Sequence, residues 1–234
     1  TGVGLGLLIG VTLSMAGVYR GMVDDAQALL DNSRADLWVV QKDTLGPYAE
    51  PSSLTEDSER PIQAMRGVAQ AAGVTYLTMQ IAHGDKDVRV MVVGAEMGEP
   101  GLPGQPTHLI SGRQIVRGHY EAVADVKTGF AIGDRVKVRR NFYTIVGLTS
   151  RMVSSGGDPM LFLSLKDAQA AQFQKDSDAI VRQRARTDAN PQLNPPGNPA
   201  VAQAVAAIQS GNSNVNAILV TITPDADPDE VAAA

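Results

Sequence analysis

Three histidines, His83, His108 and His119, are the first candidates for metal binding or proton transfer in this sequence. None has the spacing that either chemistry needs. There is no H-E-x-x-H, which would set two imidazoles on one helix face. Glu121, two residues from His119, is not a convincing acid–base partner, and the three read as surface histidines. The G-x-x-x-x-G-K-[ST] loop that cradles nucleotide phosphates is missing. Ser154-Ser155-Gly156-Gly157 lacks the glycine that precedes the serine of a nucleophile elbow. Gly2, Gly4 and Gly6 hint at a dinucleotide loop, but no strand precedes them and the full G-x-G-x-x-G spacing is not met. Arg182, Arg184 and Arg186 alternate, so on a helix they point to different sides and suit a solvated face better than an anion site. With no cysteine, neither a disulfide framework nor a thiolate metal site exists. The expectation is a protein without catalytic residues, metal or cofactor.

The elements say more than the side chains. Residues 1–19 contain no charged side chain, and only Thr1, Thr12, Ser14 and Tyr19 carry a polar group. As a helix they would span roughly 29 Å, close to the hydrocarbon thickness of a bilayer. Gly2, Gly6, Gly10 and Ser14 recur every four residues, stacking small side chains on one face where a second membrane helix can approach closely. Gly17 and Gly21 repeat the spacing. A soluble helix would be weakened by this much glycine, at about 1 kcal/mol each relative to alanine. Two other readings fit less well: a signal peptide has a shorter apolar run and a basic start, and a buried core helix usually keeps a polar side.

Beyond this stretch, 234 residues with 44% hydrophobic and 19% charged content leave room for one large or two small domains. The net charge of −5 argues against a nucleic-acid partner. Charge is uneven: residues 24–59 hold nine acids and two bases, and residues 121–151 hold six bases and three acids. The spacing of Val23, Ala26, Leu29 and Leu30 continues the first helix to Asn32. Residues 35–41, with Trp38, read as a buried strand. A helix is expected over 58–72, from Ile62, Met65, Val68, Ala69 and Ala72, with Gly73 as its C-terminal cap. Strands are expected over 74–82 and 88–94, joined at His83-Gly84-Asp85.

The Gly/Pro-rich stretch 96–107 marks a subdomain crossing. Short strands follow at 122–126, 135–139, 142–148 and 160–164, with Arg140-Asn141 as a tight hairpin between two of them. Ser164 and Asp167 make a capping pattern for a helix expected to reach Arg186. Residues 187–199 read as a proline-rich loop, 200–209 as a helix and 217–223 as a strand. Asp227-Pro228-Asp229-Glu230 is a helix start at the end of the sequence, which suggests part of a longer polypeptide.

Residues 111–165 carry a resemblance. Gly112-Arg113, the small apolar strand Ala122-Val123-Ala124, the Ile132-Gly133-Asp134 turn and the strand from Tyr143 to Gly147 occur in that order. The flanks agree, with Asp36 before an apolar strand, Gly73-Val74, and Asp225 to Glu230 after a strand. This series resembles the extracytoplasmic core of FtsX/MacB/LolC-type ABC transporter permeases, over nearly the whole chain. Residues 176–199 depart from it, being longer and more polar than that family leads one to expect.

The resemblance implies an α+β fold. After a transmembrane helix (1–34), an α/β subdomain is built from both ends of the segment (35–107 and 160–234), with a β-rich subdomain (108–159) inserted. It implies a permease subunit in the bacterial inner membrane, with the domain on the periplasmic side. Its partners would be a cytoplasmic ABC ATPase, a second permease protomer, membrane lipid and, in some members, a periplasmic adaptor (membrane fusion) protein. The domain would relay ATP-driven motion to a lipid, lipoprotein, peptide or glycolipid cargo. Some relatives instead signal to cell-wall hydrolases, and a single-helix membrane-anchored sensor fits the same sequence from a different class.

Overall fold

The computed structural model describes residues 2–44, 52–84, 86–97, 99–154, 156–173 and 214–233. The chain opens with one long helix, α1 (Gly2–Ser33). Its apolar side chains from Val3 to Met22 lie in the open, with Val3, Leu7 and Met15 each at least 69% exposed. Exposure of so much apolar surface has no counterpart in a water-soluble helix. Thr12 returns its hydroxyl to the Leu8 carbonyl at 2.8 Å, which satisfies the group without water. Only near its end is the helix held, where Ala28, Asn32 and Ser33 are buried.

The rest is a mixed α/β domain. Its strands are β1 (Leu37–Val39), β2 (Leu54–Thr55), β3 (Val68–His83), β4 (Lys86–Ala95) and β5 (Leu109–Gly112). They continue with β6 (Glu121–Asp125), β7 (Arg135–Val138), β8 (Asn141–Thr149), β9 (Met160–Ser164), β10 (Asn214–Val215) and β11 (Ala217–Ile222). Three short α-helices, α2 (Glu59–Gln63), α3 (Leu165–Phe173) and α4 (Pro228–Ala233), and two 3-10 turns at Glu56–Ser58 and Val126–Thr128 complete the described elements. One sheet runs β1-β11-β3-β4-β9-β6-β8-β5, with β7 added to β8, while β2 and β10 pair separately. Most pairs are antiparallel, and β4 with β9 and β6 with β8 are parallel.

The 16-residue β3 joins the two ends of this sheet. Val68–Val74 pairs with β11, and Val74–His83 pairs with β4. The expected helix over 58–72 is therefore corrected: only Glu59–Gln63 is α-helical, and Gly67 at φ 88° turns the chain into the strand. Alanine-rich residues 69–72 favour helix by propensity, but pairing with the apolar run Ile218–Leu219–Val220 overrides that preference. Gly73 is no helix cap. It lies in β3 opposite Ile218, and a Cβ there would come within 2.9 Å of Val215 Cγ1.

Other expectations match closely. β9 spans the expected 160–164, Ser164 Oγ accepts from Asp167 N at the start of α3, and Asp227 Oδ1 accepts from Asp229 N at the start of α4. β1 is shorter than 35–41. The β7–β8 turn lies at Arg139-Arg140, one residue earlier than expected, since Val138 pairs with Asn141. Residues 174–213, with the rest of the helix expected to reach Arg186, the 187–199 loop and the 200–209 helix, lie outside the described residues.

One apolar core draws on residues from both sides of the expected subdomain crossing. Ile81, Val90 and Val92 of β3 and β4 pack with Ala122, Val136 and Ile145 of β6, β7 and β8. α3 covers this core with Ala168 and Ala171, and it approaches β4 so closely that a Cβ on Gly94 would overlap the Ala168 methyl. Segments 35–107 and 108–159 thus share a sheet and a core.

Candidate functional site

Gly2, Gly6 and Gly10 lie on α1 with open space around them: a Cβ added at any of the three would meet nothing within 4 Å. Ser14 is likewise exposed. The small-residue face has no partner within the described chain. The stretch Gly2–Asp24, 23 residues with mean hydropathy 1.7, is long and apolar enough to cross a membrane.

Where α1 ends, a set of hydrogen bonds ties it to the domain. Ser33 Oγ donates to the Leu30 carbonyl at 2.7 Å, and Gly104 N donates to the Ser33 carbonyl at 2.9 Å. These bonds satisfy carbonyls that a helix C-terminus leaves unpaired. Asn32 Nδ2 donates to the Arg151 carbonyl at 3.2 Å, and Thr107 Oγ1 donates to Asn32 Oδ1 at 3.4 Å. Arg34 adopts the left-handed conformation, φ 54°, and turns the chain sharply into β1.

There the two ends of the domain are clamped together. Asp36 N donates to the Val220 carbonyl and Ile222 N to Asp36 Oδ2, both at 2.9 Å. Thr221 Oγ1 donates to the Arg34 carbonyl at 2.8 Å. The end of α1 and Arg34 after it are therefore bonded to β11, to the 100–107 loop and to the loop carrying Arg151.

Residues of the Gly112-Arg113 pattern form a second cluster. Gly112 has φ 80°, and a Cβ on it would overlap the Val146 carbonyl. Arg113 then sets its guanidinium on Glu121 as a fork, Nη1 to Oε2 at 2.9 Å and Nη2 to Oε1 at 2.6 Å. Val116 N and Arg117 N also donate to Glu121 Oε2, each at 3.1 Å. The Arg113 hydrogen bonds, helped by these amides against the cost of burial, hold the Glu121 carboxyl down at about 2. This arrangement pins the 113–120 loop to β6. It offers no exposed carboxylate for chemistry.

The histidines are dispersed. His119 Nδ1 lies 2.7 Å from Asp167 Oδ1, whose other oxygen accepts from Tyr120 N at 3.0 Å. His83 stacks at 4.9 Å on Phe130 and lies 3.9 Å from Asp134. His108 meets neither of them; its carbonyl accepts from Thr149. Among the described residues no three His, Asp or Glu stand together as a metal site would need. Arg182, Arg184 and Arg186 lie outside the described residues, as does Ser155. Sequence reasoning passed over Asn32, Thr107, Arg151 and Thr221, whose partners lie 75 to 187 residues away.

Glu121 gives a pH-dependent prediction. Its folded pKa is depressed, so its contribution is present above the ordinary value of 4.5 and is lost as pH falls towards about 2. Glu121→Gln is expected to lower stability at pH 7 by about 2 kcal/mol, discounted because Arg113 is half exposed. Urea midpoints of the two proteins should converge between pH 4.5 and pH 2. A constant gap across that range would mean that Glu121 does not act through its charge.

A long apolar helix, exposed along most of its length and held at one end by a mixed α/β domain, is the pattern of a candidate membrane span followed by a folded domain. The sequence matches the MacB-like periplasmic core domain over residues 1–234, and the chain belongs to that family. An uncharacterised ABC transporter permease of Mycobacterium tuberculosis is 26% identical over 70% of this chain and 46% of its own length. Another, of Mycobacterium bovis, is 25% identical over 71% of this chain and 46% of its own length. The chain thus spans about half the length of the curated relatives it matches. The periplasmic region of MacB from Actinobacillus actinomycetemcomitans shares the fold, with TM-score 0.53 and 12% identity over 88% of this chain and 85% of that one.

Proposed function

We propose that this chain is the first membrane helix and extracytoplasmic domain of an ABC transporter permease, whose α1 carries motion between membrane and domain. The observation behind this reading is the anchorage of α1. The helix is exposed along its apolar length, its last turn is bonded to the 100–107 loop and the Arg151 loop, and Arg34 just beyond it is bonded to Thr221. A rigid rod fixed at one end transmits displacement; a flexible tether would not.

In this reading a separate cytoplasmic ABC ATPase powers the movement, and a second permease protomer packs against the Gly2, Gly6, Gly10 and Ser14 face. A periplasmic adaptor and membrane lipid complete the assembly in the bacterial inner membrane. The domain moves a lipid, lipoprotein, peptide or glycolipid outward or off the membrane without covalent chemistry. Residues 35–107 with 160–234 form the part that takes most of the pull from α1, and residues 108–159, joined to them by a common sheet and core, present it to cargo or adaptor.

Gly6→Leu tests the reading, because a large side chain would hold two helix backbones apart. The substituted permease, assembled with its ATPase, should show on the order of tenfold less dimer by cross-linking and a matching loss of ATPase stimulation. Gly4→Leu, off the face, is the control. Normal assembly and coupling in Gly6→Leu would remove this face from the interface.

A further inference from the structure

The junction of α1 with the domain contains a cleft of about 210 Å³ that no feature above uses. Arg34 and Gln114 line it, together with Met97, Pro100, Pro106 and Thr107. The Arg34 guanidinium is exposed and makes no hydrogen bond or ion pair with any described residue. Its root is fixed, since the Arg34 carbonyl is held by Thr221. Gln114 Nε2 donates to the Pro106 carbonyl at 2.7 Å, which sets the orientation of the amide. That orientation leaves Gln114 Oε1 buried with no donor. Buried acceptors without a partner are rare enough to need an explanation.

The wall between them is stiff. Gln105 is buried, accepts from Gly101 N at 3.2 Å, and donates to the Glu96 and Glu99 carbonyls at 2.7 Å each. Gly101 has φ 96°, and a Cβ there would come within 3.2 Å of Arg34 Nη1. The loop therefore leaves room for the guanidinium at the cleft.

From this geometry we propose that the cleft binds a phosphate group carrying a nearby N–H donor, the chemistry of a phosphoethanolamine headgroup. A guanidinium fork matches phosphate oxygens, and the unmet amide oxygen accepts from the ammonium. Phosphoethanolamine has about eight non-hydrogen atoms and a bulk on the order of four to five waters at ~30 Å³ each, so it fits the space. Phosphocholine, with no N–H, leaves Gln114 unmet. Arg34 lies ten residues past Asp24, on the order of 15 Å beyond the apolar span for an upright helix. A lipid headgroup resting in the bilayer reaches it only when lifted, whereas a free solute reaches it directly.

The test is calorimetric titration of the full chain in phosphatidylcholine nanodiscs, with no ATPase present, so that its outcome is separate from any transport activity. Phosphoethanolamine should bind saturably and at least about tenfold more tightly than phosphocholine. Arg34→Gln keeps the backbone bonds and should weaken that binding by about tenfold with an unchanged melting temperature. Repeating the titration with a short-chain, water-soluble phosphatidylethanolamine separates the sources. Binding at least as tight as that of phosphoethanolamine identifies the lipid headgroup as occupant, and no binding identifies a free solute. Equal binding of phosphoethanolamine and phosphocholine, no saturable binding, or an Arg34→Gln variant that binds as well as the parent would each overturn the site.

Discussion

Gly112→Val is expected to destabilise the domain severely. The residue sits at φ 80°, where a β-branched side chain costs about 1–2 kcal/mol before any contact is counted. Its Cβ would overlap the Val146 carbonyl oxygen, lie 2.8 Å from Gly147 Cα and lie 3.0 Å from Ile132 Cδ1. Two of those three neighbours are backbone of β8, so no rotamer change relieves them. Strand β5 would have to leave β8, breaking the Arg113 N to Val146 carbonyl bond of 3.0 Å and moving Arg113 off Glu121. The sum is about 4 kcal/mol or more, against a typical total stability of roughly 5–15 kcal/mol. Gly133→Ala is the comparison: φ is 94°, but nothing lies within 4 Å of the added methyl, so only the conformational cost of about 1–2 kcal/mol applies. Urea midpoints of both proteins decide the matter, and a Gly112→Val midpoint near that of the parent would contradict the β5–β8 register.

How far the sequence carried depends on whether each signal was local. α1 was legible because an uncharged apolar run and its helical continuation lie within 33 consecutive residues, and it ends at Ser33, one residue past the expected point. Strands β6, β7, β8, β9 and β11 were legible from β-branched runs set off by turns. β3 was misread at its start. Residues 69–72 satisfy helical and strand spacing alike, and what decides is Ile218–Leu219–Val220, almost 150 residues away in sequence. The same distance hid the anchor of α1: nothing near Asn32 announces Thr107 or Arg151. Glu121 was noticed beside His119, yet its charge is taken by Arg113 because the turn at Gly112 carries the guanidinium across β6. Neighbours in sequence proved a poor guide to neighbours in the sheet.

Asp125→Ala is expected to loosen the anchor of α1 from a position that never touches the helix. Asp125 is fully buried at the end of β6. Its Oδ1 accepts from Lys127 N and its Oδ2 from Met152 N, both at 2.8 Å. Its carbonyl accepts from Thr128 Oγ1 at 2.7 Å. One carboxylate thus joins the strand end, the turn after it and the loop whose Arg151 carbonyl receives Asn32. Alanine removes both side-chain acceptors and leaves the Met152 amide buried without a partner, since that residue is 2% exposed. Hydrogen bonds to a charged group contribute about 1.5–3 kcal/mol, so the expected net loss is about 3 kcal/mol. Asp125→Asn keeps one acceptor oxygen and should lose roughly half as much. Beyond the loss of stability, amide exchange should accelerate at Met152 and Gly104, the first held by Asp125 and the second bonded to the end of α1. In an assembled transporter, ATPase activity should then persist while its coupling to movement of the domain falls. If exchange quickens at Met152 alone, the Arg151 loop is not what steadies the helix, and the bonds from Gly104 and Thr221 carry the load instead.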